Sequence, residues 1–227
     1  MSLLNTEKAL KRATEEKYSI CAFNVDTLEY IRAIVQAAEE ERAPIIIEAV
    51  EQAIEEMGLK YFAKMVRQMA EDASIPVGIH LDHGSSIEWI KACLDAGFTS
   101  VMIDASNKPL KENILITQEV VKIAEKYRAF TEGEIGHVPG IEERSEGPTS
   151  DLVYTDPDEA AKYCRESGVQ SLAISIGTVH YMRKEPLKLD FNLLGRIRKV
   201  VNVPLVLHGG AAVMEQDMQR VVEHGIV

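Results

Sequence analysis

Seven short β-branched runs, at 20–23, 44–47, 76–81, 99–103, 129–134, 171–176 and 203–207, alternate with longer stretches whose apolar residues recur at helical spacing. Short continuous apolar runs suit buried strands, whereas a spacing of three and four residues marks a helix with one buried side. Positions 27–42 set Leu28, Ile31, Ile34, Val35 and Ala38 on one face, and 111–126 repeats this with Ile114, Ile116, Val120, Val121 and Ile123. The boundaries agree with that division. Thr27 and Asp156 suit helix N-caps, the second followed by Pro157 at the first helical position. Gly97 and Gly168 stand just past helical runs, where a left-handed C-cap is expected. Pro44, Pro76 and Pro204 open strands, where no ladder hydrogen is yet needed.

Alternating strands and helices predict an α/β fold with a parallel sheet and right-handed crossovers. The turn after the first strand, Asn24-Val25-Asp26-Thr27, has no Gly-x-Gly-x-x-Gly. A (β/α)8 TIM barrel is therefore favoured over a doubly wound dinucleotide fold. Residues 5–17 predict an extra N-terminal helix covering the N-terminal mouth of the barrel. A last helix at 215–224 leads through Gly225 to Ile226-Val227, read as the start of strand eight. A barrel without its eighth strand leaves open sheet edges. The expectation is thus a single barrel domain over 1–227, C-terminally incomplete.

Composition narrows the function classes. The 227 residues are 46% hydrophobic and 27% charged, with a net charge of −11. So acidic a chain is a poor partner for nucleic acid or an anionic membrane surface. A small anionic substrate stays compatible, since local charge in a cleft can oppose the global sign. Cys21, Cys93 and Cys164 are far apart and are read as small buried apolar residues in a reducing, cytoplasmic setting. The N-terminus interleaves Lys8, Lys11 and Arg12 with Glu7, Glu15 and Glu16, unlike a signal peptide. No apolar run approaches the ~20 residues of a membrane span.

Four of the predicted strand ends carry ligand-type residues: His83, Glu134, His180 and His208. In a parallel barrel the C-terminal ends of the strands form the catalytic rim. Three imidazoles and a carboxylate gathered there could hold a divalent metal, and Asp82 beside one of them could move a proton. Taken singly, each has a plainer reading. A lone strand-end His is more often a hydrogen-bonded structural residue, Glu134 a surface carboxylate, and Asp82 an N-cap for the helix near Ser86. Strand alternation would also send Asp82 and His83 to opposite faces unless the ladder breaks, which the following Gly84 permits. Four independent strand ends outweigh these readings and favour a metal site.

The stretches Ala22-Phe23-Asn24, His80-Leu81-Asp82-His83-Gly84-Ser85-Ser86, Ser100-Val101-Met102-Ile103-Asp104-Ala105-Ser106, Gly133-Glu134-Ile135-Gly136, Ile176-Gly177-Thr178-Val179-His180 and Pro204-Leu205-Val206-Leu207-His208-Gly209-Gly210 occur in this order. With them the chain resembles the class II, metal-dependent fructose-bisphosphate and tagatose-bisphosphate aldolases. The resemblance implies His83, His180 and His208 as ligands of one catalytic Zn2+, with Glu134 an additional ligand. His80 and Asp104 would support them, Asp104 near an alternative position for a second divalent or monovalent cation. Zinc would chelate the ketose carbonyl and the adjacent hydroxyl. Asp82 would exchange the proton of the C4 hydroxyl, and Glu142, in the long loop 136–151, the proton on the carbon left by cleavage. Asn24, Gly177, Tyr181, Gly209, Gly210 and Ala211 would line the substrate site. A sugar phosphate substrate and a homodimer or homotetramer are likewise implied.

Departures from the family cluster around one phosphate. Tyr181 stands where the family usually has Gly, Ala211-Ala212 where it has a small hydroxyl residue and Gly, and Val50 where it has Ser. Phosphate needs converging N–H and hydroxyl donors. The leading expectation is a zinc-dependent aldolase acting on a ketose (bis)phosphate such as fructose 1,6-bisphosphate. The alternatives are an aldolase for a non-phosphorylated or differently substituted ketose, and a catalytically silent zinc-binding barrel.

Overall fold

The computed structural model describes residues 3–139, 152–180 and 187–227. In chain order the elements are α1 (Thr6–Glu16), β1 (Ala22–Asn24), α2 (Leu28–Glu41), β2 (Ile45–Val50), α3 (Glu51–Met57), α4 (Leu59–Asp72), β3 (Val77–Gly84), α5 (Ile87–Ala96), β4 (Ser100–Ile103) and α6 (Leu110–Tyr127). β5 (Phe130–Ile135), α7 (Pro157–Ser167), β6 (Ser171–Ile174), α8 (Phe191–Val200), β7 (Leu205–Val206) and α9 (Glu215–Glu223) follow. The fold is α/β, with a seven-stranded parallel sheet ordered β1-β2-β3-β4-β5-β6-β7. All seven predicted strands are present, and the N-terminal helix forms at Thr6–Glu16.

The expected caps hold the helix ends. Thr27 accepts from the backbone N–H of Tyr30 at 3.4 Å, and Asp156 from those of Asp158 and Glu159 at 2.9 and 3.0 Å. Gly97 and Gly168 both end helices in the left-handed conformation. Between β2 and β3 the chain forms two helices, α3 and α4, separated by Gly58.

Packing divides the chain into two compact units. The first comprises Met1–Arg12, Ile20–Asp104 and Glu119–Glu132, and the second Ala13–Ser19, Ala105–Gln118 and Gly133–Val227. In the first unit the parallel register lines up residues of neighbouring strands in rows. Ala22, Ile46 and Gly78 share one row, Asn24, Glu48, His80 and Ser100 the next, and Val50 and Asp82 the one above. Side chains alternate along a strand, so these rows occupy one face of the sheet. On the other face Ile47, Ala49, Ile79 and Leu81 are fully buried, with α2 and α3 packed on β2 and α4 and α5 on β3.

The second unit has its own apolar core, in which Leu172 and Ile174 of β6 meet Leu194 and Ile197 of α8 and Tyr163 of α7. Ile226 forms a parallel bridge with Leu205 of β7, and the Val227 N–H donates to the Leu205 carbonyl at 3.0 Å. The reading of all three cysteines as buried needs correction. Cys93 is buried and Cys164 partly so, but Cys21 is exposed, because it leads into β1, whose residues are themselves exposed. Among the described residues no helix is long and apolar enough to cross a membrane.

Candidate active site

The end of β3 resolves the alternation problem posed by Asp82 and His83. Register with β4 runs Leu81↔Val101 and then Gly84↔Ile103, so Asp82 and His83 together face the single Met102. That is a β-bulge, which re-aims side chains at a strand end. His83 takes up the extra residue with φ +47, a left-handed backbone that costs a non-glycine residue roughly 1–2 kcal/mol. The two neighbours thereby point the same way, with His83 Nε2 3.5 Å from Asp82 Oδ1. Gly84 is required by close approach: a Cβ there would lie 2.7 Å from the Met102 carbonyl oxygen and 2.9 Å from the Leu81 side chain.

Both residues are held from behind. His83 Nδ1 lies 2.7 Å from Asp104 Oδ2, just past the end of β4. A carboxylate on Nδ1 fixes the imidazole tautomer and orientation and directs Nε2 towards a metal. Asp82 is 2% exposed, and its Oδ2 accepts from Asn24 Nδ2 at 2.9 Å. The same amide nitrogen donates to Glu48 Oε1 at 2.9 Å. Asp82 is not the N-cap of α5; Ser86 is, accepting from the Trp89 N–H at 3.2 Å. His80 Nδ1 lies 2.8 Å from the buried Ser100 hydroxyl.

In the second unit Glu134, at the end of β5, is fully buried, so the surface-carboxylate reading fails. Its Oε1 accepts from the Val138 N–H at 3.1 Å, and its backbone carbonyl from Asn113 Nδ2 at 2.9 Å. Asn113 is tied onward to Thr117 at 3.3 Å, and Thr117 to the Tyr163 hydroxyl at 2.7 Å. This buried chain anchors the end of β5 to α6 and α7. The His180 N–H donates to the Pro139 carbonyl at 3.0 Å. The rings of His180 and His208 meet edge to face with centroids 5.9 Å apart, close enough for one ion to take a nitrogen from each. After His208, Gly209 has φ +72 and leads into a short 3-10 turn, Gly210–Ala212. Gly177, also at positive φ, lies three residues before His180.

Glu142 and Tyr181 lie outside the described residues, as does most of the loop 136–151. Its base is closed by an antiparallel bridge, with the His137 N–H to the Val153 carbonyl at 2.8 Å and the Val153 N–H to the His137 carbonyl at 3.2 Å. Sequence reasoning missed His137, whose Nδ1 lies 3.0 Å from the Ser106 hydroxyl, and Glu48. A carboxylate interrupting the apolar run Ile45-Ile46-Ile47 was the available signal for Glu48. Metal chemistry fits these residues. In the first unit His83 and Asp104, and in the second Glu134, His180 and His208, are nitrogen and oxygen donors of the kind that bind metals, and the orientation of His83 by Asp104 suits a metal ligand.

Comparison with known proteins agrees with this chemistry. The family described as Fructose-bisphosphate aldolase class-II matches residues 4–227. The chain is 42% identical to the fructose-bisphosphate aldolase of Geobacillus stearothermophilus, over 99% of this chain and 79% of that protein. It is 39% identical to the fructose-bisphosphate aldolase of Staphylococcus aureus over the same shares. Among solved structures it is similar to the YdjI aldolase from Escherichia coli K12, with a TM-score of 0.88 and 33% identity, covering 100% of this chain and 80% of that one.

Proposed function

The chain belongs to the fructose-bisphosphate aldolase class-II family, and on that premise we propose that it catalyses the reversible retro-aldol cleavage of a ketose bisphosphate such as fructose 1,6-bisphosphate. The products are dihydroxyacetone phosphate and an aldehyde. The observation that carries the reading is the bulge at Asp82 and His83, which sets a proton-transfer carboxylate beside a metal-type imidazole.

The proposed ligands of one Zn2+ are His83, His180 and His208, with Glu134 as an additional ligand. Asp104 is proposed to lie near an alternative position for the ion or for a second cation. When bound, the ion supplies Lewis-acid polarisation of the ketose carbonyl. The remaining tasks fall to the protein. As the C3–C4 bond breaks, Asp82 takes the C4 hydroxyl proton, and the C4 oxygen becomes the aldehyde carbonyl. The bonding pair stays on C3, which receives a proton from Glu142, a role assigned from its motif. In condensation both protons travel back. Asn24 holds Asp82 Oδ2, and Gly177, Gly209, Gly210 and Ala211 offer backbone to a phosphate at the rim.

A second reading is favoured by Val50. It shares a row with Asp82, so an apolar side chain stands beside the proton-transfer group where the family has Ser. Ala211-Ala212 likewise offers no hydroxyl. A ketose with a different group at C1 would suit these positions. In either case the seven strands are taken as part of a (β/α)8 barrel of one domain, with α1 at its N-terminal mouth. The enzyme is proposed to be a cytoplasmic homodimer or homotetramer, checked by light scattering.

The test is cleavage of matched ketoses with and without the C1 phosphate, before and after chelation. Cleavage that vanishes with chelator and returns with zinc supports the aldolase. A preference for the unphosphorylated sugar selects the second reading. No turnover of any ketose by the zinc-loaded protein would leave a silent metal-binding barrel.

A further inference from the structure

We propose that Glu48 is a positioning residue for Asp82, acting through the side-chain amide of Asn24; the proposal rests on the proton-transfer role given to Asp82 above. Glu48 lies in β2 at the centre of a polar row, Asn24↔Glu48↔His80↔Ser100, that crosses four neighbouring strands. It is 8% exposed. A carboxylate is rarely buried so far unless it is bonded and its presence serves something.

The geometry shows what it serves. Asn24 Nδ2 is 2.9 Å from Glu48 Oε1 and 2.9 Å from Asp82 Oδ2. An amide nitrogen has two hydrogens, and an ionised carboxylate only accepts. One hydrogen therefore goes to each carboxylate. Turning the amide over would set its oxygen against both acceptors at once. Glu48 and Asp82 together thus permit one amide orientation. With Asp82 as its only acceptor, the amide could rotate away whenever substrate or water competed for that oxygen. Glu48 removes that freedom, and Oδ2 stays bonded while Oδ1, on the His83 side, is presented for the C4 hydroxyl proton.

A positional effect of this kind acts on turnover more than on binding, since a displaced catalytic group costs rate steeply. The experiment compares wild type with Glu48→Met, which keeps the volume and removes the acceptor, and with Glu48→Gln, which keeps an acceptor oxygen. Asn24→Ala and the double variant Asn24→Ala/Glu48→Met complete the cycle. Steady-state cleavage of fructose 1,6-bisphosphate and zinc content per chain are measured for all five proteins. Glu48→Met should lower kcat about ten- to a hundred-fold with KM within about two-fold and zinc content unchanged. Glu48→Gln should recover most of the loss, and the double variant should be no worse than Asn24→Ala alone. Unchanged kcat in Glu48→Met, additive losses in the double variant, or lost zinc would overturn the proposal.

A second readout does not depend on activity. The Asn24 side-chain amide resonances, assigned by their absence in Asn24→Ala, should exchange hydrogen more slowly in wild type and in Glu48→Gln than in Glu48→Met. Equal exchange in wild type and Glu48→Met overturns the inference whether or not the protein cleaves a ketose. Wild type that turns over no ketose but shows the exchange difference overturns only the catalytic reading.

Discussion

Asp82 and His83, consecutive in the chain, lie side by side at the end of β3, with Asp82 Oδ1 3.5 Å from His83 Nε2. A regular strand would place them on opposite faces. The bulge opposite Met102 and the left-handed backbone of His83 bring them together, and Gly84 lets the strands stay in contact beyond the bulge. The residue proposed for proton transfer and the imidazole proposed as a metal ligand are thus fixed to one another by the backbone. Strain at such a position is tolerated where the surrounding structure over-determines it.

The imidazole of His83 depends on Asp104 for its orientation. Replacing the carboxylate by an amide in Asp104→Asn should weaken zinc binding ~10–100-fold, as loss of an outer partner typically does. Competition titration against a chelator measures it. An unchanged affinity would mean that Asp104 does not orient a ligand.

Glycine positions give a stability contrast. Gly209 has φ +72, and a Cβ there would lie 2.5 Å from the Val179 carbonyl oxygen. Gly209→Ala should cost about 1–3 kcal/mol and lower Tm by several degrees. Gly195, inside α8, has nothing within 4 Å of the position of a Cβ. Gly195→Ala should raise stability by ~0.5–1 kcal/mol, because Gly loses more chain entropy in a helix. Thermal melts of the two variants should move in opposite directions.

The thiols should divide by burial. Desolvation pushes Cys93 and Cys164 up to about 12, so at pH 8 only about one in ten thousand of either is thiolate. Cys21 is exposed. A thiol reagent at pH 8 should therefore label Cys21 first and reach all three only after denaturation. Mapping the labelled peptide checks the order, and early labelling of Cys93 would contradict the burial.

Much of this fold could be read from the chain, because Thr27, Asp156 and Gly97 carry local signals that tertiary packing did not override. His83 and Glu134 were legible as ligand-type residues at strand ends, whereas His180 and His208 lie beyond the ends of β6 and β7, in the segments that follow them. What stayed hidden depends on register. The predicted second strand stopped at Ile47, whereas β2 continues to Val50 and carries Glu48 into a buried row. The link of Asn24 to both Glu48 and Asp82 joins three strands, and no spacing within one strand encodes it. The buried chain Asn113–Thr117–Tyr163 behind Glu134 was invisible too, since its members sit on two helices far apart in sequence.

The most direct test is Asp82→Ala, with zinc content and the rate of fructose 1,6-bisphosphate cleavage measured on the same preparation. Removal of a positioned proton-transfer group typically costs 10²–10⁴-fold in rate. A zinc-loaded Asp82→Ala protein that has lost at least about a hundred-fold in kcat is the predicted result. Zinc-loaded Asp82→Ala that cleaves the sugar at the wild-type rate would contradict the account.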